Sequence, residues 1–293
     1  MSFHAPIDLP EPAGAALGMP PQITPAEFSA VAAIMQQRAR IHLPDTKMTL
    51  VYSRLSRRLR AHGLRSFSRY IELVRQDPVE MATMVEALTT NHTHFFREPH
   101  HFEHLKTVLP VLKDKARSGG VRIWSAGCSS GEEVHTIAMT LLGTDAASAR
   151  WALNGDVRLL ATDISSEVVG MASRGHYASD LLDQIPQPYA RLWTKPTTDG
   201  FEILPEVRAM VTAKVLNLFD SWPLSRKFDL IFCRNVMIYF DSQAKEELEA
   251  RLVDQLEPGG FLYIGHSERL NGPAKDNTEP CGQTIYVKKG GHR

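Results

Sequence analysis

The chain has 293 residues, of which 43% are hydrophobic and 23% charged, so it is long enough for two domains and apolar enough to bury their cores. Thirty-three Lys and Arg balance thirty-three Asp and Glu. This balance argues against a nucleic-acid-binding protein that relies on global charge and against a charged disordered tail. The three cysteines, Cys128, Cys233 and Cys281, have neither disulfide-framework nor metal-ligand spacing, which indicates a reducing compartment.

The N-terminal third predicts a leader followed by helices. Residues 1–22 are rich in proline and predict a disordered leader without the features of a signal peptide. Thr24-Pro25-Ala26-Glu27 has the pattern of a capping box and predicts a helix that runs to about Arg40. Further helices are predicted at about 46–62, at 66–77 and from Pro78. We therefore expect a small all-helical domain over 23–97, and then a connecting helix and linker over 98–118.

Residues 119–293 predict an α/β domain, because short apolar runs alternate with helical patterns. Strands are predicted at 121–125, 157–162, 228–233, 261–265 and 284–288, and helices begin at about 132, 166 and 242. The last of these helices is predicted to reach Leu256 and to be stopped by Pro258-Gly259-Gly260. This alternation is typical of a parallel, doubly wound sheet. Residues 177–213 contain four prolines and fit the alternation poorly, so we interpret them as an insertion. No run of apolar residues is long enough to span a membrane, and we expect a cytoplasmic protein.

A candidate ligand site follows the first two predicted strands. Gly127 and Gly131 flank a turn of small residues before a helix, which lets a ligand approach the backbone and the helix N-terminus. Asp163 ends the second strand, where doubly wound folds bind a ribose diol. The spacing matches neither a dinucleotide fingerprint nor a P-loop. The alternative is that the glycines only form a tight turn and Asp163 only caps a helix.

Three other segments place polar residues at the predicted mouth of the sheet: 90–98, 228–241 and 259–268. Five strings, in order, resemble the CheR-type chemotaxis receptor methyltransferases over residues 23–288: N-x-T-x-F-F-R-E, W-S-A-G-C-S-S-G-E-E, A-T-D-I, F-C-R-N-V-M-I-Y-F-D and G-H-S-E. The resemblance implies a class I AdoMet-dependent methyltransferase fold, which is a Rossmann-like doubly wound sheet, with a small all-helical N-terminal domain and a small β insertion. It also implies a protein-glutamate O-methyltransferase of chemotaxis receptors that uses S-adenosylmethionine and releases S-adenosylhomocysteine.

The resemblance assigns site residues one by one. The implied cofactor contacts are Asn91, Thr93, Arg97, Gly127, Glu133, Asp163, Asn217, Leu218, Arg234 and Asn235. Asp163 can accept from two ribose hydroxyls, and Glu133 can pair with the amino group of the methionine moiety. Asn217 can offer an amide to the adenine edge beside the apolar Leu218. Arg97 and Tyr239 are the candidate catalytic residues, Arg97 for the acceptor carboxylate or closure over the cofactor and Tyr239 for orientation near the methyl group.

No metal is expected, because a sulfonium is already an activated methyl donor and a glutamate acceptor is ionised at neutral pH. A histidine cluster invites a metal interpretation, since His100 and His104 share one helix face. No cysteine or aspartate has matching spacing in the sequence, and the reaction needs no metal.

A basic helix predicts the substrate surface. Arg54, Arg57, Arg58 and Arg60 have no interleaved acidic residues, and the resemblance implies that they face the cytoplasmic helical bundle of the receptor. A merely solvated helix face is the alternative. Residues 38–75 contain ten Lys and Arg and two acids, a net charge of +8, so the rest of the chain carries −8. This segregation favours an acidic partner.

The sequence departs from the family pattern where some members hold a receptor-tail pentapeptide. Residues 195–200 contain a single glycine, and Lys195 replaces the arginine, so we expect an enzyme that does not depend on such a tether. We also expect a monomer. The alternatives are an AdoMet-dependent methyltransferase acting on another protein or on nucleic acid, and a non-catalytic binding module. Arg234-Asn235-Val236-Met237 differs from the D-P-P-Y clamp that exocyclic amines need, which argues against a nucleic-acid substrate.

Overall fold

The computed structural model describes residues 22–290, so the leader predicted for 1–22 lies outside the described residues except for Gln22. The chain divides into two compact units. One unit comprises the described part of Met1–Ile34 together with Leu43–Leu88, and the other comprises Met35–His42 and the described part of Thr89–Arg293. Among residues 22–290, no helix combines the length and the apolar character that crossing a bilayer requires.

The first unit is helical. Its helices are α1 (Pro25–Ala39, which ends in the second unit), α2 (Met48–Ala61), α3 (Phe67–Gln76) and α4 (Pro78–Leu88). The capping box at the start of α1 is confirmed: Thr24 N donates to Glu27 Oε2 at 2.9 Å, and Glu27 N donates to Thr24 Oγ1 at 3.3 Å. These bonds satisfy backbone donors that the first helical turn leaves free.

Helix α2 has the amphipathic form that its sequence predicts. Val51, Leu55 and Leu59 are fully buried, which confirms the apolar stripe. Of the four arginines, Arg57 and Arg60 are exposed, whereas Arg54 and Arg58 are half-buried. The spacing of four places the apolar side chains on one face, and burying each contributes roughly 1.5–3 kcal/mol.

Arg58 forms a buried ionic cluster that the sequence did not reveal. Its guanidinium holds the carboxylate of Glu80 in two hydrogen bonds, one of them 3.0 Å from Nε to Oε1. Tyr70 donates its hydroxyl to the same carboxylate at 2.6 Å, and His62 Nε2 lies 2.8 Å from it. Arg58 is therefore a structural residue of this unit and is not a free charge on its surface.

The second unit contains the remaining elements. Its helices are α5 (His100–Ser118), α6 (Glu132–Leu142), α7 (Arg150–Leu153), α8 (Ser166–Arg174), α9 (Gln187–Trp193), α10 (Pro205–Arg208), α11 (Ser242–Gln255) and α12 (Gly272–Asp276). Its strands are β1 (Val121–Ala126), β2 (Val157–Asp163), β3 (His176–Tyr177), β4 (Thr194–Pro196), β5 (Phe201–Ile203), β6 (Val211–Val215), β7 (Phe228–Cys233), β8 (Leu256–Ile264), β9 (Thr278–Gly282) and β10 (Ile285–Lys288).

The large sheet has the strand order β6-β2-β1-β7-β8-β10-β9. The first five strands are parallel, and β10 runs antiparallel to both β8 and β9. Side chains alternate along β7, with Leu230 and Phe232 in one apolar core and Ile231 and Cys233 in the other. The sheet is thus covered on both faces, and the predicted doubly wound α/β fold is confirmed.

The small sheet has the order β3-β5-β4 and lies in the predicted insertion. Residues 197–200 connect β4 to β5, and Thr197 N donates to Gly200 O at 3.0 Å. A Cβ on Gly200 would lie 2.0 Å from the carbonyl oxygen of Tyr177, so this close approach requires glycine. The strand β6, which overlaps the end of the predicted insertion, belongs to the large sheet.

Strand β8 begins earlier than the sequence predicts, and strand β9 was not predicted. Helix α11 ends at Gln255, and β8 begins at Leu256, because Leu256 already pairs with Phe228. Pro258-Gly259-Gly260 therefore interrupts the pairing of a strand and does not stop the helix. The edge strand β9 was not predicted, because Thr-Glu-Pro-Cys-Gly has little β-propensity.

We expect Glu80→Gln to destabilise the helical unit. Burial alone would raise the pKa of Glu80, but hydrogen bonds from Arg58, Tyr70 and His62 outweigh it and lower the pKa from 4.5 to about 2. A lowered carboxyl pKa stabilises the fold above about pH 4.5, and this stabilisation is lost as the pH falls towards 2. The substitution should lower the free energy of unfolding at pH 7 by roughly 3 kcal/mol and flatten its acid dependence.

Urea unfolding of the full chain at several pH values measures this effect. Glu72→Gln is the matched control, because the ion pair of Glu72 with Arg69 is exposed and contributes little. Equal unfolding curves for the two variants at pH 7 would contradict a stabilising role for the cluster.

Candidate AdoMet site

The candidate site lies at the carboxyl edge of the large sheet. The parallel strands end there at Ala126, Asp163, Val215, Cys233 and Ile264. The chain order reverses between β1 and β7, because β1 continues to β2 on one side while β7 continues to β8 on the other. Open α/β sheets bind ligands outside the strand ends at such a switch point.

The two glycines of the turn after β1 have packing roles. A Cβ on Gly127 would lie 2.4 Å from Cγ2 of Val236, and one on Gly131 would lie 2.7 Å from the backbone of Ala172. Both residues have positive φ, +80° and +99°, which favours glycine. The turn and its close neighbours therefore require glycine at both positions.

Asp163 is 8% exposed and orders the same turn. Its Oδ2 accepts from Ser129 N at 2.9 Å, and its Oδ1 accepts from Ser165 N at 3.1 Å. Ser129 Oγ in turn donates to the carbonyl of Asn91 at 3.0 Å. The side chains of Asp163 and Ser129 together join the turn, β2 and the segment before α5.

Arg234, at the end of β7, is the central charge of the site, and its side chain is 2% exposed. Its Nη1 donates to Glu133 Oε2 at 3.1 Å, its Nη2 lies 3.4 Å from Glu98 Oε2, and it also donates to the carbonyl of Arg97. The guanidinium lies over the ring of Phe102, 5.5 Å from its centroid. Within residues 22–290, its Nε has no hydrogen-bond partner. Arg234 therefore joins β7, α6 and the segment before α5.

Glu98 extends this network to the end of β8. Its Oε1 accepts from His266 N at 3.2 Å, lies 3.1 Å from His266 Nδ1 and accepts from Asn235 Nδ2 at 3.4 Å. Asn235 N donates to Glu268 Oε2 at 3.1 Å, and the amide of Gly265 donates to the same oxygen. The Gly-His-Ser-Glu motif is thereby fixed against the motif that follows β7.

Burial and charge act on these carboxyl groups in opposite directions. Burial would raise the pKa of Glu98, but the Arg234 charge and the His266 hydrogen bonds lower it to about 2. Burial prevails at Glu133 and raises its pKa, although Arg234 and Ser125 oppose this shift. Ser125 Oγ donates to Glu133 Oε1 at 2.7 Å. A cationic group brought to Glu133 would favour its ionised form.

Backbone strain is concentrated at the site. Six non-glycine residues among those described have positive φ, and four of them belong to the site segments: Phe96, Glu98, Ser129 and Asn235. The left-handed conformation costs such residues roughly 1–2 kcal/mol each. Strain of this kind persists where surrounding contacts hold it, and it clusters at functional sites. Arg97 lies between two of the strained residues.

Asn217, Leu218 and Tyr239 occupy the loops after β6 and β7. The Nδ2 group of Asn217 donates to Arg38 O at 2.8 Å, and its Oδ1 accepts from Phe219 N at 3.0 Å. The side-chain amide therefore shapes its own loop, which differs from the adenine contact expected of it. Leu218 is buried, and Tyr239 ends a short 3₁₀ helix at Met237–Tyr239. Thr93 is half-buried in the segment before α5.

One cluster has the composition of a metal site. Ligand atoms of Glu98, His100 and His101 lie within 4.8 Å of one another. Arg234 Nη2, however, lies 3.4 Å from the Glu98 oxygen that faces His101, and its positive charge opposes a cation at this position. Burial, together with the charges of Arg234 and His100, lowers the pKa of His101 to about 3, so this side chain is neutral. The arrangement favours the ion pair over a metal.

Models of one protein family and several relatives match almost the whole chain. Residues 91–287 match the model of the CheR methyltransferase SAM-binding domain, and residues 26–89 match that of the CheR methyltransferase all-alpha domain. A probable chemotaxis protein methyltransferase of Rhizobium etli is 43% identical over 85% of this chain and 94% of its own length. A chemotaxis protein methyltransferase of Borreliella burgdorferi is 39% identical over 91% and 95%, respectively.

These matches cover both the helical N-terminal region and the α/β region, and they agree with the sheet order and the strand-end site described above. The fold and site define a class I methyltransferase whose α/β region binds S-adenosylmethionine. The chain belongs to the CheR methyltransferase family.

The residues at the carboxyl edge fit S-adenosylmethionine in their chemistry. Arg234 Nε is a buried donor without a partner among the described residues, which an anionic group such as the methionine carboxylate would satisfy. Glu133 suits the amino group, Asp163 suits the ribose hydroxyls, and Leu218 offers an apolar wall for adenine. The matched polarity of these four side chains supports the assignment of the site.

Six of the assigned residues take part in two networks of contacts at this edge of the sheet. One contains Arg97, Glu133, Arg234 and Asn235, and the other contains Asn91 and Asp163. The sequence interpretation gave no role to Glu98 or Glu268, although both lie in the quoted motifs. A buried arginine at the end of an apolar strand needs an anionic partner. This requirement could have identified Glu98 from the sequence.

We expect that chelation leaves ligand binding unchanged, because Arg234 occupies the place of a cation beside Glu98. After dialysis against EDTA, the affinity for S-adenosylhomocysteine measured by calorimetry should equal that of the untreated protein. Metal analysis should find no stoichiometric zinc. Bound zinc whose removal abolishes binding would contradict this expectation.

Proposed function

We propose that this protein transfers a methyl group from S-adenosylmethionine to glutamate side chains on the cytoplasmic helical bundle of chemotaxis receptors. The products would be glutamate methyl esters and S-adenosylhomocysteine. The observation that carries this proposal is the Arg234 network, in which one guanidinium contacts both the Arg97 carbonyl and the carboxylate of Glu133. Relatives named chemotaxis protein methyltransferases at 38–43% identity support the chemotaxis role.

The cofactor would supply an activated methyl group on a sulfonium, and this chain would supply binding, alignment and exclusion of water. Glu133, Asp163 and Arg234 would hold the amino, ribose and carboxylate groups. A glutamate acceptor has an ordinary pKa of about 4.3, so it is ionised at neutral pH and needs no general base. Oriented reactants can remove roughly 7–11 kcal/mol of a barrier, which makes positioning the main contribution of the protein.

Arg97 and Tyr239 are the proposed catalytic residues. Arg97 Nη1 donates to His92 O at 3.0 Å, and the carbonyl of Arg97 accepts from Arg234. A guanidinium so fixed can orient an acceptor carboxylate without a full bidentate pair, which would reduce the nucleophilicity of that carboxylate. Tyr239 follows the end of β7 and would orient the acceptor near the methyl group.

The proposed receptor-docking surface is the exposed face of α2. The sequence implied Arg54, Arg57, Arg58 and Arg60, but Arg58 holds Glu80 and Arg54 donates to Ala87 O at 3.3 Å. Arg57 and Arg60 remain exposed and can contact an acidic helix. The short connection at 197–200 supports docking without a receptor-tail peptide.

We expect labelled methyl groups from S-adenosylmethionine to appear on receptor cytoplasmic fragments as base-labile esters. Arg97→Ala and Tyr239→Phe should each lower the transfer rate at least about tenfold, because alignment of the reactants depends on these side chains. The measurement is release of volatile label after base treatment, with circular dichroism to verify the fold.

Two results would contradict this proposal. Label on nucleic acid in place of receptor would support the alternative substrate class. Full transfer rates in both variants would overturn the catalytic assignments while leaving the substrate class intact.

We expect the double substitution Arg57→Glu and Arg60→Glu to raise the KM for receptor, since it reverses two exposed charges. Affinity for S-adenosylhomocysteine should not change, because neither side chain belongs to the cofactor site. Initial rates at varied receptor concentration and calorimetry give the two quantities.

Arg174→Glu with Lys275→Glu is the matched control, because it reverses two exposed charges of the α/β unit. Equal receptor KM values for the two double variants would exclude α2 as the docking surface.

A further inference from the structure

Residues 35–42, at and after the end of α1, make contacts to which the proposed function assigns no role. They belong to the same compact unit as the α/β domain, although the chain before and after them belongs to the helical unit. We call residues 36–42 the strap. Its partners lie in the loops after β6 and β7, which carry Asn217 and Tyr239.

Four contacts join the strap to these loops. Gln36 Nε2 donates to Asp241 Oδ2 at 2.6 Å, and His42 N donates to Tyr239 O at 2.9 Å. Ile41 forms an isolated antiparallel bridge with Phe240. The Arg38 carbonyl accepts from Asn217 Nδ2 at 2.8 Å. The strap therefore contacts three consecutive residues, 239–241. Its fourth contact is with the side chain of Asn217.

Arg40 follows the last residue of α1 and lies within the strap. Its amide donates to Gln36 O at 3.1 Å, and its φ is +56°, which is the left-handed conformation that usually takes glycine at a helix end. The side chain of Arg40 makes a cation–π contact that offsets part of this strain, because its guanidinium lies 6.0 Å from the centroid of the Phe219 ring. Phe219 packs edge-on against Phe240 at 4.9 Å. The strained residue thus contacts the loop after β6, which in turn packs against the loop after β7.

Asp241 links the strap to the start of α11. Its Oδ1 accepts from Ala244 N at 2.8 Å as the N-cap of that helix, and its Oδ2 accepts from Gln36. Tyr239 therefore lies between the end of β7 and a helix cap that the strap also holds. Fixing the backbone on both sides of a residue limits where its side chain can point.

We propose that the strap is a positioning element for methyl transfer, which acts through the backbone of Tyr239 and the loop of Asn217. The inference rests on the proposed function for the role of Tyr239. Gln36, Ile41 and His42 are positioning residues, because none of their contacts described above is to a group assigned to bind the cofactor. Loss of the strap contacts should lower kcat and leave cofactor binding by Glu133, Asp163 and Arg234 intact.

The test compares His42→Pro with His42→Ala. Proline removes the N–H that donates to Tyr239 O, and Ile41 already has the extended backbone that precedes proline readily. Alanine keeps that N–H and removes the same exposed side chain. We expect His42→Pro to lower kcat at least about tenfold relative to His42→Ala, with calorimetric affinity for S-adenosylhomocysteine within about threefold.

Gln36→Met provides a second variant of similar size, and Gln37→Met is its control because Gln37 is exposed on the same turn. Hydrogen exchange of peptides covering 236–242 gives a readout that does not depend on receptor methylation. Faster exchange in His42→Pro and Gln36→Met, together with the lower kcat, is the expected result. Unchanged exchange, or faster exchange with kcat equal to the controls, would overturn the positioning role.

The two proposals can fail separately. A wild-type protein that transfers no methyl group to receptor fragments would refute the proposed function. The exchange measurement would then test the role of the strap by itself. Unchanged exchange would still refute that role, and faster exchange in both variants would support the conclusion that the strap fixes residues 239–241.

Discussion

A buried guanidinium, that of Arg234, is the interaction on which the site depends. An unpaired charge inside a protein costs several kcal/mol, so the segments around it must supply anions and carbonyls at fixed positions. Glu133, Glu98 and the Arg97 carbonyl do so from α6 and from the segment before α5. The requirements of this one side chain therefore arrange three elements that are distant in the sequence.

The same network explains why strained backbone is stable at this edge of the sheet. Phe96, Glu98, Ser129 and Asn235 have left-handed conformations, and the last three of these residues make hydrogen bonds or ion contacts within the site. These contacts offset a cost that would otherwise favour rearrangement. A site held in this way before the ligand binds loses less conformational entropy on binding, which suits a reaction that depends on alignment.

Much of the fold could be predicted because the local signals were strong. The buried strand β7 was predicted with its observed bounds, Phe228–Cys233, and the capping box was predicted at the observed start of α1, Pro25. The edge strands β6 and β9 were harder, since Val211–Val215 is largely exposed and Thr278–Gly282 contains proline and glycine. Motifs located most of the site segments, but no local pattern indicates that Arg58 holds Glu80 or that Arg38 meets Asn217. These contacts join residues far apart in the sequence, and only the folded chain brings them together.

The central claim is that Arg234 organises the cofactor site, and binding of S-adenosylhomocysteine to two arginine variants tests it most directly. Arg234→Met removes the central charge, and Arg122→Met removes an arginine that pairs with Asp156 at the opposite edge of the sheet. With unfolding curves to verify that both variants fold, calorimetry should show affinity reduced at least about a hundredfold in Arg234→Met and unchanged in Arg122→Met. Equal, wild-type affinity in both variants would contradict the account.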